Sequence, residues 1–289
     1  MKVPVDLAHT LAAAVDAGTL EGAARRLHLT QSAVSQRLAT LERLTGQVLL
    51  VRSRPVRATA AGEQVIRYAR QVAHLDDDLA DRLGVGGSAT TVPLAINADS
   101  LATWILPALV EVATAHDITL EIHREDESHT TELLADGTVV AAVTTVAQPV
   151  AGCTATRLGS LTYRAVASPA FAERWLPDGA TAAALALSPV VDFDARDQIQ
   201  RRYLTRRGVN PERCPRHLVP SSPEFAEAIE LGLGWGLLPA SQRTGRTLVE
   251  LGGPDISVTL WWQQWRTHSP TLGTIGEAVT QAARAHLSA

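Results

Sequence analysis

Residues 20–44 read Leu20-Glu-Gly-Ala-Ala-Arg-Arg-Leu-His-Leu-Thr-Gln-Ser-Ala-Val-Ser-Gln-Arg-Leu-Ala-Thr-Leu-Glu-Arg-Leu44, and the fold follows from how that stretch divides. Thr19 is a suitable N-cap for a helix over 20–27, and Thr30 caps another that runs to about residue 44, where Gly46 ends it. Ala23 and Ala24 let the two helices cross closely, while Leu27, Ala33, Val34, Leu38 and Leu41 supply apolar side chains at helical spacing. The opposite face carries Thr30, Gln31, Ser32, Ser35, Gln36 and Arg37, short polar or basic groups suited to phosphates and base edges in a major groove. Upstream, Leu7, Leu11, Ala14 and Val15 mark a further helix over 5–17. Downstream, 48–51 and 55–58 read as two short strands around Arg52-Ser53-Arg54. Three helices and a small ribbon outline a winged helix-turn-helix over residues 1–59, with Arg52 and Arg54 in the wing as phosphate contacts.

The charge pattern agrees. Eight basic residues (Lys2, Arg25, Arg26, Arg37, Arg43, Arg52, Arg54, Arg57) face four acidic ones (Asp6, Asp16, Glu21, Glu42) in the first 60 positions. That leaves +4 on the head and −8 on the body of a 289-residue chain whose net charge is −4. A basic head on an acidic body suits a polyanion at one end and a different partner at the other.

Thr59 caps a long helix over 60–83. Within it Val65, Tyr68, Val72, Leu75 and Leu79 recur at alternating spacings of three and four, an apolar seam suited to dimerisation. Gly84-Val85-Gly86-Gly87-Ser88 then breaks the chain, so 60–87 reads as linker helix and hinge and 88–289 as a separate regulatory domain. Beyond residue 90, strand-like and helix-like runs alternate in two comparable blocks, which implies a largely parallel sheet with helices on both faces. The blocks give two lobes, about 88–162 with 267–289 and about 163–266, with a ligand cleft between them.

Other chemistries find no support. Gly232-Leu-Gly234-Trp-Gly236 lacks the spacing of a dinucleotide loop and reads as a tight helix-to-strand junction. The serines lack a GxSxG elbow, and nine histidines lie scattered without HExxH, so neither a hydrolase nor a metal centre is expected. Trp261, Trp262 and Trp265 read as core packing. Cys153 and Cys214 read as reduced structural thiols of a cytoplasmic protein. No membrane segment, signal peptide or cofactor is expected.

The pattern Ala23-Ala24, Leu27, Thr30-Gln31-Ser32-Ala33-Val34-Ser35-Gln36-Arg37, Leu41-Glu42 resembles the helix-turn-helix of the LysR-type transcriptional regulators, and Thr59-Ala60-Ala61-Gly62 resembles the start of their linker helix. Many members carry Leu-Phe before the wing arginine, where Leu49-Leu50-Val51-Arg52 stands here. That variant, with 97–104, Glu125-Asp126-Glu127 and 221–225, is similar to the basic-amino-acid-responsive ArgP/LysG subfamily. The likeness runs from about residue 7 to 279. It implies a mixed α/β chain with a two-lobed, periplasmic-binding-protein-like effector domain. It also implies a homodimer or homotetramer on double-stranded operator DNA, an activator that meets RNA polymerase, and control of an amino-acid export gene.

The effector that the resemblance implies is lysine or arginine. Such a ligand needs donors for its carboxylate and acceptors for two cationic groups. Ser100, Thr144 and Thr145, at strand ends or helix starts, are the expected donors. Asp99 and Asp126 are the expected ammonium partners, with Asp194 from the second lobe. The rival reading is an architectural or replication-control DNA-binding protein that needs no effector.

Overall fold

The computed structural model describes residues 2–83, 91–124, 130–267 and 269–288. The expected hinge at 84–88 and the acidic run Glu125-Asp126-Glu127 lie outside the described residues.

The head forms as the local signals require. Helices Val5–Asp16, Leu20–Arg26 and Gln31–Thr45 enclose a core of Leu11, Val34, Leu38, Leu41 and Leu49. Thr19 Oγ1 accepts from Gly22 N at 3.0 Å and Thr30 Oγ1 from Ala33 N at 3.2 Å, each satisfying a helix-end donor that otherwise lacks a partner. The wing is shorter than the sequence suggests: Leu50–Val51 pairs antiparallel with Arg57–Ala58. Pro55 has no N–H to give, and the Val56 N–H goes to Gly18 O at 2.9 Å, so the ladder cannot extend toward the tip.

Ala60–Leu83 is one continuous helix of 24 residues. Thr59 joins it to the wing: its Oγ1 accepts from Gly62 N at 3.1 Å and donates to Val48 O at 2.7 Å. Only glycine fits at 62, because a Cβ there would stand 2.0 Å from Leu49 O. Ile66 and Ala69 bury against the head.

In the body, one seven-stranded sheet runs in the order Val249–Glu250, Cys153–Ala167, Ile256–Trp265, Ala141–Thr144, Thr91–Ile96, Thr119–Arg124, with Gly236–Pro239 also paired to Cys153–Ala167. The sheet is mixed rather than largely parallel. Thr91–Ile96 runs parallel to Thr119–Arg124 and Ala141–Thr144, but Cys153–Ala167 and Ile256–Trp265 are long antiparallel strands shared by both halves of the body. Local alternation reports helices between strands and is blind to a strand whose two halves serve different neighbours. A separate parallel pair, Val190–Asp192 with Arg216–Leu218, belongs to the second half. Two helices, Ala98–Thr103 and Ile105–His116, follow the first strand and are separated at the buried Trp104. Trp262 and Trp265 are buried core, as expected. Cys153 and Cys214 are both buried free thiols. No described helix is long and apolar enough to cross a membrane.

Candidate DNA-binding face and inter-lobe cleft

Thr30, Gln31, Ser32, Ser35 and Gln36 stand exposed along one edge of Gln31–Thr45. Thr30 is partly committed, since its hydroxyl caps the helix and lies 3.0 Å from Ser32 Oγ. Arg37 turns half inward, with Nη1 at 3.4 Å from Thr10 Oγ1, and ties the third helix to the first. Arg52 and Arg54 are exposed on the wing, and Arg57, a position the site reading left out, is exposed beside them. None of these three makes an ion pair among the described residues, whereas Arg25 pairs with Glu21 at 3.2 Å and Arg26 approaches Asp16 at 3.7 Å. Guanidinium groups without a protein partner keep their donors available for phosphate.

The five-residue seam divides. Tyr68, Leu75 and Leu79 point outward, and Leu83 extends the row at 64% exposure. Val72 is half-buried. Val65 instead packs against the head core, so it is occupied within its own chain.

A cavity of about 390 Å³ opens between the two halves of the body. Three carboxylates line it (Asp99, Asp194 and Asp197) together with three guanidinium-bearing residues (Arg124, Arg196 and Arg202), Thr145 and the ring of Phe193. A larger groove of about 550 Å³ lies elsewhere, between Trp262 or Gln264 and the final helix. It offers one acid, Glu277, and one base, Arg284, and none of the expected effector residues reaches it.

Each acid is held differently. Asp99 spans the halves: Tyr163 Oη donates to its Oδ2 at 2.7 Å and Ser222 Oγ to its Oδ1 at 2.6 Å. Asp194 closes its own turn, accepting from Arg196 N at 2.7 Å and Asp197 N at 3.0 Å, with the Arg196 guanidinium at 3.7 Å. Asp197 accepts from Phe193 N at 3.0 Å and Ile199 N at 2.8 Å. Burial pushes its carboxyl up to about 6 against the lowering effect of those two donors, and the charges of Asp192 and Asp99 push it the same way as burial.

Of the expected effector residues, Asp99, Thr145 and Asp194 line the cavity. Ser100 and Thr144 do not. The helix opens at Ala98, so Ser100 is its third residue and is wholly buried, while strand alternation turns Thr144 inward, where its Oγ1 accepts from Val146 N at 3.2 Å. Asp126 lies outside the described residues. Asp192, another strand-end acid, is buried against Arg216, and burial raises its carboxyl despite that partner. Sequence reasoning missed Asp197 and the three arginines. A signal was present for Arg196 and Asp197, Asp194-Ala-Arg196-Asp197 being a dense charge cluster after an apolar strand.

Residues 5–63 match the family model of the bacterial regulatory helix-turn-helix proteins, lysR family, and residues 86–284 match the LysR substrate binding domain. The lysine export transcriptional regulatory protein LysG of Corynebacterium glutamicum is 40% identical over 288 residues, 97% of each chain. The crystal structure of ArgP from Mycobacterium tuberculosis superposes with a TM-score of 0.87 at 38% identity, covering 98% of both chains. Full-length LysG from Corynebacterium glutamicum with bound effector Arg superposes with a TM-score of 0.82 at 36% identity, over 99% of this chain and 100% of that one.

The raised Asp197 carboxyl fixes the sign of one pH dependence. The folded chain holds this proton more tightly than the unfolded chain, whose ordinary value is 3.8. Its contribution to stability is therefore complete below about 4 and is lost as pH rises through about 6. The melting temperature of the wild type relative to Asp197→Asn should fall between pH 4.5 and 7. Parallel curves would reject the assignment.

Proposed function

The chain belongs to the LysR family of bacterial helix-turn-helix transcriptional regulators, and on that premise we propose that it senses a basic amino acid, arginine or lysine, between the halves of its body and adjusts operator binding accordingly. The observation that carries this reading is the cleft itself: three carboxylates and three guanidinium groups around about 390 Å³. An apolar ligand would cover these charged groups without replacing the water they lose. A simple cation would leave the arginines unused, and a simple anion would meet the acids. A molecule with one carboxylate and two separated cations addresses both sets at once. The volume lies within the ~300–1,000 Å³ range of small-molecule sites.

The cleft divides the work. Arg196 and Arg202, which line the cavity from the second half, are assigned to the carboxylate, with Thr145 as a hydroxyl donor. Asp99 keeps carboxylate lone pairs beyond the two used by Tyr163 and Ser222, and with Asp194 and Asp197 it provides the cation partners. Target and assembly follow the relatives. The likeness to a protein named as a lysine export regulator supports an amino-acid export gene as the target, in the cytoplasm, with RNA polymerase as the partner of an activator.

Calorimetry with arginine, lysine and the uncharged norleucine tests the effector. Arginine or lysine should bind at least tenfold more tightly than norleucine, and Asp99→Asn should lose about tenfold or more, as expected for ~1.5–3 kcal/mol per charged hydrogen bond. Affinity for the cation should also rise from pH 5 to 7, because a bound cation favours the ionised form of Asp197. Equal binding of norleucine and lysine, or no binding at all, would leave the effector-independent reading standing.

The DNA reading is tested by salt dependence. With a duplex selected from random sequence by the wild type, Arg54→Ala should reduce the slope of log affinity against log salt by about 1, whereas Gln36→Ala should relax sequence preference instead. Identical slopes and preferences in all three proteins would sink the assignment.

The outward row Tyr68, Leu75 and Leu79 is assigned to self-association through paired linker helices. Leu75→Glu places a charge in that seam, and analytical ultracentrifugation should record loss of dimer mass. Undiminished mass would reject the seam.

A further inference from the structure

Arg70 lies where three parts of the chain meet. Its Nη2 reaches Asp16 Oδ1 at 2.6 Å, at the end of the first helix of the head. Its Nη1 donates to Asp136 O at 2.9 Å and to Thr138 Oγ1 at 2.9 Å, with Asp136 Oδ1 at 3.3 Å. One guanidinium thus holds the head and the body together within a single chain, using the fixed fork that makes arginine suited to several acceptors at once.

One turn earlier, Arg67 is buried, and its Nη2 donates to Ala151 O and lies 3.9 Å from Cys153 Sγ. Gly137 and Gly152 make the approach possible: both have positive φ, and a Cβ would stand 3.4 Å from Arg67 Cα at the first and 3.1 Å from its Nη2 at the second. On the following turn His74 is buried edge-on against Trp265, with ring centroids 6.3 Å apart.

These contacts have a common geometry. Asp136 and Thr138 precede the strand Ala141–Thr144, and Ala151 follows it. Between them stands Thr145, which lines the cleft. The buried Gln263 stiffens the return: its Nε2 donates to Val146 O at 2.8 Å and Gln148 O at 3.0 Å, and its Oε1 accepts from Val150 N at 2.9 Å. The linker helix therefore grips both ends of a segment, 136–152, whose middle forms a wall of the ligand cavity.

We propose that Arg70 is the positioning residue that couples the cleft to the DNA-binding head, by tying Asp16 of the head to the 136–152 segment. A ligand that shifts Thr145 displaces Asp136, Thr138 and Ala151 relative to the linker helix, and Arg70 passes that displacement to the end of the helix that precedes the helix-turn-helix. Arg67 and His74 hold the linker helix on the body while Arg70 sets the angle of the head. The ligand arm of this proposal rests on the effector reading above.

The test compares wild type, Arg70→Met, which keeps the apolar stem and loses the fork, and Asp16→Asn, which leaves the body side intact. Each full-length protein is titrated with arginine by calorimetry and with the selected duplex by fluorescence anisotropy, with and without saturating arginine. Arginine affinity should stay within about threefold in both variants. The ratio of operator affinities with and without arginine, expected at about fivefold or more in the wild type, should collapse toward one in both. A ratio retained in the variants, or a wild-type operator affinity indifferent to bound arginine, would overturn the proposal. If arginine does not bind the wild type, the effector reading has failed, and the clamp is read without ligand by small-angle scattering. A larger radius of gyration in both variants supports it, and profiles that superpose on the wild type overturn it.

Discussion

A helix turning once every 3.6 residues offers only a few faces, and the helix Ala60–Leu83 presents a different one to each neighbour. Ile66 and Ala69 close the core of the head. Arg67, Arg70 and His74 engage the body. Tyr68, Leu75, Leu79 and Leu83 are left facing outward. The head, the body and the outward apolar row are thereby placed in fixed angular relation about one axis. Rotating the helix by a single residue, ~100°, would exchange one face for another, so its phase is fixed from two sides before any second copy is considered.

That phase also depends on where the helix begins. Thr59 bonds to Val48 O and to the first turn of the helix, and the approach of Gly62 to Leu49 O leaves no room for a side chain. The helix start is thus pinned to the wing, and the wing carries the unpaired arginines. The exposed wing arginines and the contacts of Arg67 and Arg70 with the body are thus joined through one helix, with Arg67 and Arg70 two and three turns along from its start.

Local rules disclosed what local chemistry determines. The caps Thr19, Thr30 and Thr59 and the start of the long helix were legible because each is set by neighbours within four positions. The cleft was not, because its members meet across the chain: Tyr163 and Ser222 bond Asp99 from 64 and 123 positions away. Asp99 and Asp194 were found as acids at strand ends, a rule that does not separate them from Asp192, which burial and Arg216 make part of the core instead. Arg124 and Arg202 escaped because nothing in sequence distinguishes a cleft arginine from a surface one, whereas Arg196 and Asp197 stood in a charge cluster from which only Asp194 was taken. The mixed sheet escaped for a related reason: Cys153–Ala167 pairs with different partners at its two ends, and no hydrophobic period records a change of partner.

The division of charge gives the geometry of the clamp a direct consequence. The body beyond residue 60 carries −8, and the head +4. Duplex DNA bears one negative charge per ~1.7 Å, and at physiological salt repulsion is felt over a Debye length of ~8 Å. A body held farther than this from the phosphates leaves the attraction of the head undiminished. A body swung within it opposes the same contacts without any change in the recognition helix. Small rotations about the linker axis are then enough to alter operator affinity, because the distance between an acidic domain and a polyanion enters through a screened, steeply falling interaction. In the coupling proposed above, the Arg70 guanidinium, bridging Asp16 of the head and Asp136 of the body, is the contact that governs this distance.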